Sequence, residues 1–269
     1  MRPAVLKAIT SRENPAFRSM ARLAASAPER RKRGLTVLDG VHLVGAFVDA
    51  GHAIDSAVVS QSALDRDEVA RLVARLPAPK VTIVSDKLFE TLSTVDSATG
   101  ILAAAAAPPG RPVPFDAPLV LLVEDVQDPG NVGTLLRSAA AAGAAHALLS
   151  RGCAFAWSLK TVRAGMGAHF SLNIAEDQDL PAFAQGYKGQ VVALSGDATR
   201  SLYDIDLRGP VAIAVGSEGA GISPRLRQAA GVAARIPMPG KVESLNAAVA
   251  ASIALFEVVR QQGKARGGP

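Results

Sequence analysis

Three polar loops carry most of the side chains in this sequence that could do chemistry, and each follows an apolar run. The first is Glu124-Asp125-Val126-Gln127-Asp128-Pro129-Gly130-Asn131, which leads into Val132-Gly133-Thr134-Leu135-Leu136-Arg137. Alone, Asp128 to Asn131 reads equally well as a turn with a helix cap. Arg137 follows Asn131 by six positions, about 9 Å along a helix axis. The two meet only if the arginine leans back toward the helix start, as helical side chains do. The second loop is Gly216-Ser217-Glu218-Gly219-Ala220-Gly221, whose glycines permit positive φ and close backbone approach. It lacks the Gly-Lys-Ser/Thr of a Walker A loop, and Glu218 would face the phosphates of a dinucleotide. A carboxylate there points to a ligand without a pyrophosphate. The third loop runs from Ile236 through Pro237-Met238-Pro239-Gly240-Lys241-Val242-Glu243 to Ser244-Leu245-Asn246 and enters an alanine-rich segment. Ser244 or Asn246 is also a ready helix cap.

These loops need elements to hold them. From 119 onward, strand-like and helix-like segments alternate: strands at 119–123, 145–150, 190–194, 210–215 and 233–236, helices at 131–143, 179–187, 223–230 and 244–262. Leu119 to Val123 is a continuous apolar run, as expected of a strand buried on both faces. Such alternation predicts an α/β fold, a mainly parallel sheet with helices on both faces. Ligands of such sheets collect beyond the carboxyl ends of the strands, where the three loops lie.

The first hundred residues read as a smaller α/β module. Asn14-Pro15 is an N-cap followed by proline at the first helical position. Phe17, Met20, Ala21 and Ala24 follow at helical spacing. Strands are expected at 35–38, 54–59, 81–85 and 101–106, and helices at 41–50, 62–76 and 86–93. Residues 107–118 hold five prolines in twelve positions, which cannot continue a helix or a central strand. They are read as a linker between a domain at 1–106 and one at 119–269.

Composition narrows the function classes. Of 269 residues, 49% are hydrophobic and 20% charged, which predicts packed cores rather than disorder. No long apolar segment suits a membrane span, and Met1-Arg2-Pro3 opens no signal peptide, so a cytoplasmic protein is expected. The single cysteine, Cys153, reads as a spectator thiol, and four scattered histidines give no metal-ligand spacing. Trp157 reads as packing. Net charge is +5, yet residues 1–40 alone carry nine Lys/Arg against three acids, or +6. A polyanion partner is expected at Arg12, Arg18, Arg22, Arg30, Arg31, Lys32 and Arg33, although a solvated basic helix reads the same way.

Together the three loops resemble the three motifs of the SpoU branch of the SPOUT superfamily of RNA ribose methyltransferases. The matching stretches are DPGNVGTLLRSAAAAGA, AVGSEGAGIS and IPMPGKVESLNAAVA, in the family's order. Residues Lys160 to Ala168 are also similar to the family pattern. Ser11-Arg12-Glu13-Asn14-Pro15 and Leu38-Asp39-Gly40 resemble, more loosely, the ribosomal-protein-like substrate-binding domain of many members. Ala247-Ala248 departs from the Val-Ser that many members carry.

The resemblance implies a deep trefoil knot whose loops hold S-adenosyl-L-methionine, against the usual rule that chains do not thread loops. On this chain the cofactor contacts would be Ser195, Gly196, Gly216, Gly219, Ile236, Met238 and Leu245. The reaction implied is methyl transfer to a ribose 2′-hydroxyl of RNA, ribosomal RNA before transfer RNA. Arg137 would act at the hydroxyl, positioned with the ribose by Asn131, Glu218, Ser244 and Asn246. Arginine resists deprotonation, so an orienting role competes with that of a base. The family also implies a homodimer whose interface completes the site, and no metal. An antibiotic-resistance methylase and a non-catalytic RNA-binding relative are the alternatives. A nucleotide-dependent enzyme would need a glycine fingerprint that the sequence lacks.

Overall fold

In a computed structural model that describes residues 8–92, 100–242 and 244–265, Asn14 opens the first helix. Its carboxamide oxygen accepts from Ala16 N and Phe17 N, and Pro15 takes the first helical position. The chain divides into two units, Met1–Pro108 with Trp157–Leu159, and Pro109–Ala156 with Lys160–Pro269.

The first unit runs α1 (Pro15–Ala25), α2 (Ala27–Arg33), β1 (Leu35–Asp39), α3 (Val41–Asp49), β2 (Ile54–Ser60), α4 (Asp67–Arg75), β3 (Val81–Val84), α5 (Asp86–Glu90) and β4 (Ile101–Ala106). Its sheet has the order β1-β4-β2-β3, antiparallel but for the β2–β3 pair. Phe17, Met20 and Leu23 of α1 pack with Val37, Val58, Leu102 and Phe89 in one core. The single helix expected over 62–76 is two pieces, because Arg66 is extended between a 3-10 turn at Ser62–Asp65 and α4. Position 93, the end of the helix expected from 86, lies outside the described residues.

The second unit runs β5 (Leu119–Val123), α6 (Pro129–Ala141), β6 (His146–Leu149), α7 (Leu159–Gly165), β7 (Asn173–Ala175), α8 (Leu180–Gly186), β8 (Gln190–Leu194), β9 (Val211–Val215), α9 (Pro224–Ala230), β10 (Gly231–Ala234) and α10 (Ala247–Ala265). Six parallel strands lie in the order β10-β8-β9-β5-β6-β7. Every residue of β5 is buried, as its apolar run predicts for a central parallel strand. Val120 and Leu122 face a core with Leu180, Phe183 and Leu226 of α8 and α9. The alternate residues face the side where α6 and α10 pack together. The last strand falls two residues earlier than expected, and α10 is displaced to begin after Asn246.

From Gly110 on, the segment read as a linker packs onto this second unit. Arg111 N donates to Asn173 Oδ1 at 2.8 Å, and Asn173 Nδ2 donates back to Arg111 O at 2.9 Å. A Cβ on Gly110 would run into the backbone of Ile174 and Ala175, so only glycine lies this close to edge strand β7. Phe115 stacks on Phe183, with ring centroids 5.4 Å apart. The prolines exclude a helix but suit a stretch docked along a sheet edge.

Candidate active site

Residues at the carboxyl ends of the central strands build the site. Asp128 caps α6 through its Oδ1, which accepts from Asn131 N at 2.9 Å, and Pro129 occupies the first turn. The helix therefore begins two residues before the expected start at 131. The second Asp128 oxygen takes Lys160 Nζ at 3.0 Å. Those two bonds, the lysine first, hold the carboxyl below the usual carboxylate range. One step earlier, buried Glu124 accepts from Ser223 N and Ser223 Oγ, both at 2.7 Å. Ser223 in turn caps α9 by accepting from Leu226 N. The first motif is thereby tied to the end of the second.

Three of the five residues expected to be catalytic meet. Asn131 Nδ2 donates to Glu218 Oε1 at 2.6 Å, and Asn246 Nδ2 donates to the same oxygen at 2.5 Å. Asn246 uses its own carboxamide oxygen to cap α10, accepting from Ala248 N and Val249 N. Ser244 does not cap that helix; it lies exposed on the lining of the neighbouring cavity. Arg137 is exposed on α6 and is not among the residues lining the cavity or the groove beside the cluster. The three amide and carboxylate groups position one another instead.

An apolar cavity of about 180 Å³ opens beside the cluster. Of the seven residues expected at the cofactor, Ser195, Gly196, Gly216, Ile236, Met238 and Leu245 line it. Gly219 does not; it lines a separate groove beyond Glu218, with Asp125, Gln127 and Asn131. Gly216 and Gly221 approach so closely that any Cβ on Gly216 would overlap the Gly221 carbonyl. Leu194, Val215, Ala234 and Leu245 suit an adenine ring, and among the described residues Glu218 is the only carboxylate on the lining. That donor set fits a cationic sulfonium and not a phosphate.

Charge on the first unit is arranged less simply than its sequence suggests. Arg12, Arg18, Arg22, Arg31, Lys32 and Arg33 are exposed on and beside α1 and α2. Arg33 Nη1 donates to Ser19 Oγ at 2.9 Å, while Arg18 pairs with Glu13. Arg30 is the exception and corrects the expectation of RNA contact there. It is 6% exposed, and its guanidinium donates to the Leu23 and Ala24 carbonyls at the end of α1. An orphan helix end explains the inward turn.

Several residues of the site give little or no signal in the sequence. Lys160 and Glu124 hold the loop by contacts across 32 and 99 positions, which no local pattern reveals. The usable signals are an acidic residue directly after a fully apolar strand and the likeness of Lys160 to Ala168 to the family pattern. Trp157 is buried, as expected of packing. Cys153 Sγ donates to Val123 O at 3.2 Å, and burial pushes its thiol up. His169 is buried beside α7, with Nε2 2.7 Å from the Ala156 carbonyl, and burial pushes its imidazole down to about 4. Among the described residues no His/Cys/Asp/Glu group could hold a metal ion.

Comparison with known proteins meets this geometry. A family model described as the SpoU rRNA Methylase family matches residues 118–256, and one described as an MRM3-like substrate binding domain matches 14–103. The chain is 30% identical to an uncharacterized tRNA/rRNA methyltransferase of Synechocystis, over 96% of this chain and 95% of that protein. It is 30% identical to the 23S rRNA (guanosine(2553)-2′-O)-methyltransferase of Bacillus subtilis, covering 94% and 99% of the two chains. The AdoMet-bound rRNA methyltransferase from Sinorhizobium meliloti superposes with a TM-score of 0.79 at 31% identity, over 94% of this chain and 97% of that one.

Proposed function

The chain belongs to the SpoU rRNA methylase family, and from that premise we propose how its residues methylate a ribose 2′-hydroxyl of ribosomal RNA. The observation that carries the reading is the cluster of Asn131, Glu218 and Asn246 at the wall between the apolar cavity and the polar groove. S-adenosyl-L-methionine, the family's methyl donor, supplies an activated methyl on a cationic sulfonium when bound in that cavity. The chain's tasks are then alignment and removal of one proton.

The apolar walls and the backbone at Gly196 and Gly216 hold the adenosine end, and Glu218 faces the positive charge. Asn131 and Asn246 trade their bonds with Glu218 for bonds to the incoming ribose. Of the clustered groups only Glu218 accepts a proton, because amides are not bases. Arg137 stays protonated and orients the ribose or its phosphate through a planar fork. Ser244, at the cavity rim, completes the polar set.

Loops after β8, β9 and β10 wall one cavity, and the chain passes from edge strand β10 back to the sheet centre, where α10 packs on α6 and β9. That crossing supports a deep trefoil knot. A homodimer is supported by Val249, Phe256 and Val259, exposed along α10, which a second copy would cover. The partner would bring the completing groups, with the exposed Arg137 serving the shared site. The first unit, through Arg12, Arg18, Arg22, Arg31, Lys32 and Arg33, grips the RNA. No described helix is long and apolar enough to cross a membrane, and we place the protein in the cytoplasm with its substrate.

Alkaline hydrolysis of the product RNA tests the chemistry, because the free 2′-hydroxyl is the nucleophile that cleaves the chain. A gap in the ladder at one position is expected. A complete ladder with a methylated base in the nucleoside digest overturns the reading.

A further inference from the structure

Glu218 stands between two spaces. It and Ser217 line the apolar cavity on one side and, on the other, a groove of about 420 Å³. That volume is ordinary for a small-molecule site. Its walls are the side chains of Asp125, Gln127, Asp128 and Asn131 and the turn from Ser217 to Ala220. Asn131 and Glu218 themselves line this groove, so a ribose engaged by them would stand at its wall. No aromatic residue is among the described lining residues, so a base here is read at its edge rather than stacked.

The wall's carboxylates are not equivalent. Asp128 is committed to the α6 cap and to Lys160. Asp125 is exposed and fixed from behind: Ser150 Oγ donates to Asp125 Oδ1 at 2.6 Å and accepts from Asp125 N at 2.9 Å. Gly152 leaves the space this carboxylate fills, since a Cβ there would overlap Asp125 Oδ1. A carboxylate has about four lone-pair sites, and Ser150 uses one.

We propose that the groove seats the base of the target nucleotide and that the Asp125 carboxylate selects guanine. Guanine carries N1–H and N2–H₂ side by side, two donors that match the two oxygens of one carboxylate. Adenine and cytosine put a ring-nitrogen acceptor at the corresponding place, and uracil flanks its one donor with carbonyl oxygens. Each of these sets an acceptor against a negative charge. Gln127 adds an amide that can donate to the guanine O6. The assignment rests on the ribose-methyltransferase reading, and what it adds is the residue that reads the base.

The test uses the full-length protein, methyl-labelled S-adenosylmethionine and unmodified transcripts of small- and large-subunit ribosomal RNA. Label is expected in 2′-O-methylguanosine after digestion to nucleosides. Label in 2′-O-methyladenosine, -cytidine or -uridine overturns the guanine assignment and leaves the ribose chemistry standing. Label in a base, or none, overturns the proposed function and this inference with it. Asp125→Asn keeps a residue that tolerates the positive φ of 53° found here. It should lower kcat/KM on the labelled transcript by about 10- to 100-fold, as expected when one bidentate pair is removed. Affinity for S-adenosylmethionine should stay within twofold. Gly152→Ala retains the carboxylate but displaces it and should act in the same direction. Wild-type kcat/KM in both variants would show that the base is not read at Asp125.

Discussion

The carboxamide of Asn246 donates to that of Asn131 at 3.1 Å across 115 positions of sequence. Both amides also converge on one oxygen of Glu218, so the first turn of α6, the loop after β9 and the start of α10 share a single hydrogen-bonded junction. Asn246 carries a second duty there, because its oxygen caps α10. The two duties can be separated.

Asn246→Ala should lose both. A missing cap costs about 1 kcal/mol, which lowers Tm by about 2–4 °C in a unit of this size. Asn246→Asp retains the cap but sets a second carboxylate against Glu218, so transfer should fall while the cap contribution stays. Melting curves beside turnover assays check this, and equal destabilisation by both variants would remove the cap from the account.

Arg137→Ala and Asn131→Ala should each reduce methyl transfer by roughly 10²- to 10⁴-fold, the scale of orienting and acid–base groups. Neither residue lines the apolar cavity, so calorimetry should find S-adenosylmethionine binding nearly intact. Loss of binding with chemistry unchanged would reverse the roles.

Acid should loosen the second unit through His169. Its folded pKa of about 4 lies below the ordinary 6.5, so between these values the unfolded chain takes up a proton that the folded chain refuses. The contribution is intact above pH 6.5 and is lost progressively as pH falls toward 4, roughly 3 kcal/mol in all. Urea titrations at pH 7 and pH 5 measure the larger part of it. His169→Gln should flatten the difference, and an unchanged pH slope would count against the buried imidazole.

A fragment starting at Pro109 should fold and bind cofactor, whereas one starting at Phe115 should be less stable and tend to associate. The shorter one lacks the Arg111 bonds to Asn173 and leaves the β7 edge uncovered. Both lack the basic α1–α2 pair and should grip RNA poorly. Every phosphate that the fragment no longer neutralises should flatten the log–log salt slope by about 0.9 on a duplex. Fragment binding as tight as that of the full chain would separate the RNA grip from the first unit.

What can be read in the sequence follows the physics of each signal. Asn14-Pro15 and the apolar run 119–123 announce a cap and a buried strand because those features are local. Helix α7 escapes a sequence reading because seven residues including Thr161, Val162 and Gly165 have little helical preference. What supports it is Gly133, where any Cβ would overlap Thr161 O and Ala164. Strand β7 is three residues long, too short to show alternation. Arg30 looks like its neighbours in a basic run, and only the unpaired carbonyls ending α1 distinguish it. The bonds joining Asn131, Glu218 and Asn246 span 87, 28 and 115 positions, distances at which only the motif resemblance suggests proximity.

The wide sequence separation of that junction also orders events during synthesis. Residues up to Ala106 complete the four-stranded sheet of the first unit while the six-stranded sheet does not yet exist. Central strand β5 must then wait for its partner β9, since Leu119 pairs with Val211. The cavity gains its last walls only when Ser244 to Ala250 have left the ribosome. A nascent chain therefore presents the exposed basic face of α1 and α2, the proposed RNA grip, well before the cavity is closed. Closure of these non-local contacts is also the step that completes the cavity.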